Sequence, residues 1–196
     1  MSKLKIGLTG GIGSGKSTIA KCLEALNYPV YYADDRAKFL MDNSSSIKAD
    51  IIHLLGTDSY SNNGKLNRRY VASQVFNNPS SLNKLNQIVH PAVEEDYLSW
   101  HQQQNSSCTF KEAALIFENN SENSFDKIIL VKANLNCKIN RIKKRDTFRT
   151  YDEIKAIINK QLSDEIKMKK AHFIIDNDDD SKVIVQLLNV LDRISG

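Results

Sequence analysis

Residues 4–18 read Leu4-Lys5-Ile6-Gly7-Leu8-Thr9-Gly10-Gly11-Ile12-Gly13-Ser14-Gly15-Lys16-Ser17-Thr18, and five of the chain's eight glycines fall between Gly7 and Gly15. Gly10 to Ser17 satisfies G-x-x-x-x-G-K-[ST], a phosphate-binding loop. The chemistry follows from the residue types. Glycines let successive backbone N–H groups turn inward around a phosphate, and a helix N-terminus adds partial positive charge. Gly11, Ile12, Gly13, Ser14, Gly15 and Thr18 would line that cradle. Lys16 would reach the β- and γ-phosphates of a nucleotide such as ATP, and the Ser17 hydroxyl would ligate Mg²⁺.

Other candidates follow along the chain. Asp34 and Asp35 stand directly after Val30-Tyr31-Tyr32-Ala33; one is expected to be functional and the other to cap the helix that follows. Glu118 ends the apolar run Ala113 to Phe117 and would reach a Mg²⁺ ion through water. The basic segment 138–149 puts Lys138, Arg141 and Arg145 on one helical face, at three- and four-residue spacing. Its position after a strand favours a lid whose arginines close over phosphates, rather than a solvated basic face. The four histidines show no metal-ligand spacing. His53 reads as a packed helix residue, and Asp178-Asp179-Asp180 as a solvated helix start.

The elements that must position these groups read as strands and helices in alternation. Leu4 to Leu8 has strand length, and Ile19 to Leu26 has helical spacing. A second strand is expected at 30–33, a third at 113–117, a fourth at 128–131 and a fifth at 172–175, with a closing amphipathic helix over 183–194. Such spacing predicts a parallel sheet with right-handed crossovers and ligands at the carboxyl ends of its strands. Asp34 and Asp35 would then emerge on the edge that holds the phosphate loop. From Ser44 to about Gln104 the pattern is almost entirely helical, broken around 57–65, with Pro91 opening or kinking a helix. This block reads equally as an inserted substrate-binding subdomain or as a plain packing layer.

Composition sets the bounds. The chain has 196 residues, 41% hydrophobic and 26% charged, with a net charge of +4. That suits anionic ligands but falls short of an obligate nucleic-acid binder. Cys22, Cys108 and Cys137 are odd in number and widely spaced, which argues against a disulfide framework. No apolar run reaches membrane-spanning length. The first strand starts so near Met1 that no secretion leader is expected, and the reading is cytoplasmic. A GTPase would need N-K-x-D, whereas Asn159-Lys160-Gln161-Leu162 lacks the acid. A nucleic-acid motor would need stacking platforms, and there is a single Trp. A small-molecule kinase fits best.

The chain resembles the dephospho-CoA kinases nearly end to end. The resemblance rests on Gly7 to Thr18; on Tyr32-Ala33-Asp34, where the family carries Asp-Ala-Asp; on Gly64-Lys65-Leu66-Asn67-Arg68-Arg69, Val75-Phe76 and Leu85-Asn86-Gln87-Ile88-Val89-His90-Pro91; on Leu115-Ile116-Phe117-Glu118; and on Ala171-His172-Phe173-Ile174-Ile175-Asp176-Asn177. Tyr32 departs from the first acid, and Ala114 stands where a proline is usual. The resemblance implies an α/β three-layer P-loop kinase fold with a five-stranded parallel sheet. Its core would be about 1–34, 111–137 and 171–196, with a helical CoA-binding insertion at about 35–110 and a lid at about 138–170. It also implies ATP and Mg²⁺ as cofactors, dephospho-CoA as substrate, Asp34 as base, Arg145 and Arg141 over the phosphates, and Arg68 and His90 on the CoA side.

Overall fold

The computed structural model describes residues 3–76 and 78–195, and among them the chain forms two compact units: residues 1–31 with 104–196, and residues 32–103. The first unit is organised on a five-stranded sheet: β1 (Leu4–Thr9), β2 (Val30–Tyr32), β3 (Cys108–Glu112), β4 (Lys127–Lys132) and β5 (Phe173–Asp176). Their spatial order is β2-β3-β1-β4-β5, and β1 pairs in parallel with both β3 and β4. The fold is α/β.

β1 is central, so it is covered on both faces: Ile6 and Leu8 are fully buried on one, and Gly7 and Thr9 are buried on the other. β4 is an apolar run for the same reason, with Ile128 to Val131 at 1% exposure or less. α1 (Lys16–Ala25) follows the loop and buries Ile19, Ala20 and Leu23. α6 (Leu135–Arg145), α7 (Tyr151–Asn159) and α8 (Asp164–Lys170) link β4 to β5, and α9 (Val183–Ser195) closes the chain. No helix among the described residues is long and apolar enough to cross a membrane.

The third strand differs from the sequence expectation. It is Cys108–Glu112, and the apolar run at 113–117 is a turn that leaves its end. The cause is tertiary. Lying between β2 and β1, β3 buries all five residues despite the polar sequence CTFKE, including Lys111 and Glu112. The turn instead sends Ile116 and Phe117 into a cluster with Ile128, over which Leu162 packs. The helical pattern read to about Gln104 ends at Gln103.

The second unit is helical: α2 (Ala33–Asn43), α3 (Ser45–Leu55), α4 (Arg68–Phe76) and α5 (Pro79–Gln103). The strand expected to include Ala33 ends one residue earlier, and Ala33 opens α2. Pro91 lies inside α5 without ending it. Arg36 clasps Asp96 through two hydrogen bonds, of 2.8 and 2.5 Å, joining α2 to α5. His53, expected to be packed, is exposed on α3.

Candidate active site

The phosphate loop leaves β1 and feeds α1, whose N-cap is Gly15 in the left-handed region (φ 92°, ψ 23°). No side chain caps α1 and no acid sits in its first turn. Most neighbouring helices are finished differently: Asn134 caps α6, Thr150 and Glu153 form a capping box on α7, and Ser163 caps α8. An uncapped helix start with no carboxylate keeps its partial positive charge for an outside anion. Lys16 is the first residue of α1, half-buried, and the Ser17 and Thr18 side chains are exposed beside it.

Three elements approach this loop, and two of them hydrogen-bond it. From the end of β5, Asn177 Nδ2 donates to Ser14 O at 2.8 Å. From α6, Arg141 Nη1 lies 3.8 Å from where a Cβ on Gly15 would stand. That nitrogen is buried with no hydrogen-bond partner, while Arg141 Nη2 donates to Asp179 at 3.0 Å. A buried, unpaired guanidinium donor is costly unless a ligand satisfies it. Ser14 Oγ is likewise buried and unpartnered. From the joint between α7 and α8, Gln161 Oε1 accepts the Ile12 N–H at 2.8 Å. Gly11, Ile12, Lys138, Gln161 and Asp164 line one cavity of about 650 Å³ with the ends of β4 and α8. A glycine-rich turn with a buried, unpartnered guanidinium nitrogen and hydroxyl beside it fits a polyphosphate.

The basic segment does not form one uniform face. Lys138 is buried and paired with Asp164. Arg141 is half-buried beside the loop, and Arg145 is exposed, with both its hydrogen bonds, of 2.8 and 2.9 Å, to Asp146. The Asp146 hydrogen bonds raise the Arg145 pKa above its ordinary value, and Arg145 and Arg149 together depress that of Asp146. The acidic run is not simply solvated either. Asp178 accepts the Asn134 N–H at 2.6 Å, which lowers its pKa, and Asp179 holds Arg141.

Glu118 has a different setting from the other acids. Its Oε1 accepts the Leu162 N–H at 3.1 Å and lies 2.7 Å from Nζ of Lys167, a fully buried lysine, while Oε2 is buried without a hydrogen-bond partner. The Lys167 contact is an ion pair rather than a well-directed hydrogen bond. In the helical unit, Asp34 and Asp35 are both exposed in the first turn of α2. Asp35 pairs with Lys38 at 2.7 Å, and Asp34 has no partner among the described residues. Arg68 pairs with Asp42 at 3.1 Å, and Asp42 also accepts the Leu66 N–H at 2.9 Å. His90 is exposed on α5. Gln161, Asp179 and Asp164 escaped sequence reasoning. Only the position of Gln161 after a helix end could have flagged it, and that is a weak signal.

Comparison with known proteins agrees with this geometry. The family profile described as dephospho-CoA kinase matches residues 4–182. A dephospho-CoA kinase of Bacteroides fragilis is 33% identical over 189 residues, covering 96% of this chain and 91% of that protein. Among solved structures, a Thermus thermophilus protein superposes with a TM-score of 0.85 at 29% identity, covering 99% of this chain and 97% of its own. The dephospho-CoA kinase from Campylobacter jejuni gives 0.72 at 27% identity, covering 99% and 98%. With a phosphate loop, an uncapped helix start and a matching profile over most of its length, the chain belongs to the dephospho-CoA kinase family.

Proposed function

We propose that this protein transfers the γ-phosphoryl group of ATP to the ribose 3′-hydroxyl of dephospho-CoA, releasing ADP and coenzyme A, the last step of coenzyme A synthesis. The observation that carries the phosphate-donor side is the uncapped phosphate loop with a buried, unpartnered guanidinium nitrogen of Arg141 beside it, and the acceptor rests on the family match over residues 4–182. The backbone of Gly11 to Thr18 would hold the triphosphate, and Lys16 would offset charge on the transferring group. The Ser17 hydroxyl would hold a Mg²⁺ ion, which when bound would supply neutralising charge to the phosphates. Glu118 Oε1 is taken by Lys167 and the Leu162 N–H, so only its unpartnered Oε2 would serve a metal's water shell, and Ser17 would be the direct ligand.

Asp34 is assigned the acceptor hydroxyl. Its unpartnered carboxylate would take the 3′-O–H hydrogen bond, orient the oxygen for in-line attack, and receive the proton as the new O–P bond forms and the bond to ADP breaks. Residues 32–103 would carry the acceptor, with Arg68 and His90 on the CoA side. Residues 138–170 would act as the lid, with Arg145 exchanging Asp146 for the phosphates and excluding water. The same reading puts the reaction in the cytoplasm, on a small-molecule substrate. The test is ADP release from ATP across dephospho-CoA, nucleosides and nucleoside monophosphates. Strong stimulation by dephospho-CoA alone is expected. Equal stimulation by AMP or CMP would overturn the acceptor assignment.

A further inference from the structure

Gln161 is separated from the phosphate loop by 149 residues, yet its amide oxygen holds the loop's backbone at Ile12. Its own backbone is pinned on both sides. The Gln161 N–H donates to Ile158 O at 3.1 Å, closing the end of α7. The next residue, Leu162, donates its N–H to Glu118 and packs against Ile116, Phe117 and Ile128. Lys167 holds the same Glu118 oxygen from α8. A long, flexible side chain gains precision when the backbone carrying it is fixed, because less freedom remains to be lost. Glu118 and Lys167 are thus the mount, and Gln161 is what they aim.

The loop is shaped to receive it. A Cβ on Gly11 would lie 3.3 Å from Gln161 Oε1 and 3.4 Å from Lys138 Nζ. Gly11 is not among the glycines with positive φ, so the close approach of Gln161, rather than backbone strain, makes a side chain unwelcome there.

We infer that Gln161 is a positioning residue for phosphoryl transfer, holding the Ile12 peptide so that the nucleotide's phosphates meet a loop that is already formed. This rests on the kinase reading above. A preformed loop spares the ligand the cost of ordering it, so the effect falls on ATP binding before it falls on chemistry.

The test compares the intact protein with Gln161→Met, which keeps the length and loses the acceptor, and with Gln161→Glu, which keeps the acceptor. Amide hydrogen exchange at Ile12 is followed by NMR, alongside KM for ATP, KM for dephospho-CoA, kcat and ADP affinity by calorimetry, which is expected to weaken as KM for ATP rises in Gln161→Met. In Gln161→Met, Ile12 exchange is expected to quicken by about tenfold or more, the loss of one hydrogen bond. KM for ATP is expected to rise about tenfold, with KM for dephospho-CoA within twofold of the intact protein. Gln161→Glu is expected to keep Ile12 exchange slow. Unchanged Ile12 exchange in Gln161→Met overturns the inference, as does fast exchange in both variants or fast exchange with an unaltered KM for ATP. The exchange result and ADP binding need no acceptor substrate. If the intact protein fails to phosphorylate dephospho-CoA, it is the functional reading that fails, and those two measurements still decide the role of Gln161.

Discussion

Replacing Gly15 by Ala strikes the loop at the point where backbone, Asn177 and Arg141 converge. Two costs can be worked from the structure. The N-cap residue sits at φ 92°, and an L-residue in the left-handed region costs about 1–2 kcal/mol. An ideal Cβ there would also fall 2.1 Å from Asn177 Nδ2, far inside contact distance. Asn177 must swing away and lose its 2.8 Å hydrogen bond to Ser14 O, which costs about 0.5–1.5 kcal/mol. The sum is about 1.5–3.5 kcal/mol, centred near 2.5. For a chain of this size that corresponds to a fall in Tm of roughly 5–10 °C. The assay is thermal unfolding of Gly15→Ala, Asn177→Ala and the double variant, with ADP affinity measured by calorimetry. Both single variants should bind ADP more weakly. Because the clash vanishes when Asn177 is already truncated, the double variant should fall short of the summed losses by about 1 kcal/mol. A Gly15→Ala protein that melts within 1 °C of the parent, or strict additivity of the two changes, would refute the geometry.

Four further outcomes are expected. Lys16→Ala should lose roughly 3 kcal/mol or more of transition-state stabilisation, by analogy with removed oxyanion donors; near-normal kcat at saturating MgATP would make the loop merely structural. Asp34→Asn should lower kcat about 10²- to 10⁴-fold with little change in MgATP binding, whereas Asp35→Asn should give up only its Lys38 pair; the reverse pattern would move the base by one residue. Lys167→Met should destabilise by about 3–5 kcal/mol, because it strands Glu118 beside a fully buried position, and Glu118→Gln in the same chain should recover part of that loss in urea unfolding. The Leu66 N–H, with Arg68 and Lys65, holds the Asp42 carboxyl below its ordinary pKa; its contribution to stability is therefore complete above about pH 4 and lost as pH falls through the depressed value. Melting curves from pH 2 to 6 should show that acid limb blunted in Asp42→Asn, and an equal limb in both proteins would exclude it.

Much of the site was legible in the sequence because its signals are local. A strand, a glycine-rich turn, Lys-Ser and a helix are contiguous, so 15 residues predicted the loop that the structure contains. β4 and the closing helix were legible for a related reason: burial on both faces of a parallel strand, or on one stripe of a helix, writes itself into the period of apolar residues. The helical block was legible as helices, and α5 passes through Pro91 as one of them.

Tertiary structure decided the rest. Cys108–Glu112 is a strand because of where it lies, between β2 and β1, where even Lys111 and Glu112 are covered; the more apolar 113–117 could not be told from a strand without knowing that the sheet was already filled. Spacing put Lys138, Arg141 and Arg145 on one face, yet their settings range from buried to exposed and their partners differ: Asp164 on α8, Asp179 after β5, and Asp146 next in the chain. Asp35, by contrast, is set apart from Asp34 by a local pair, with Lys38 three residues on in the same helix. Gln161 lies furthest from sequence reasoning: a neutral side chain at a helix end carries no periodicity, charge or motif. Its contact with Ile12 comes from a joint between α7 and α8 that Glu118 holds through the Leu162 N–H.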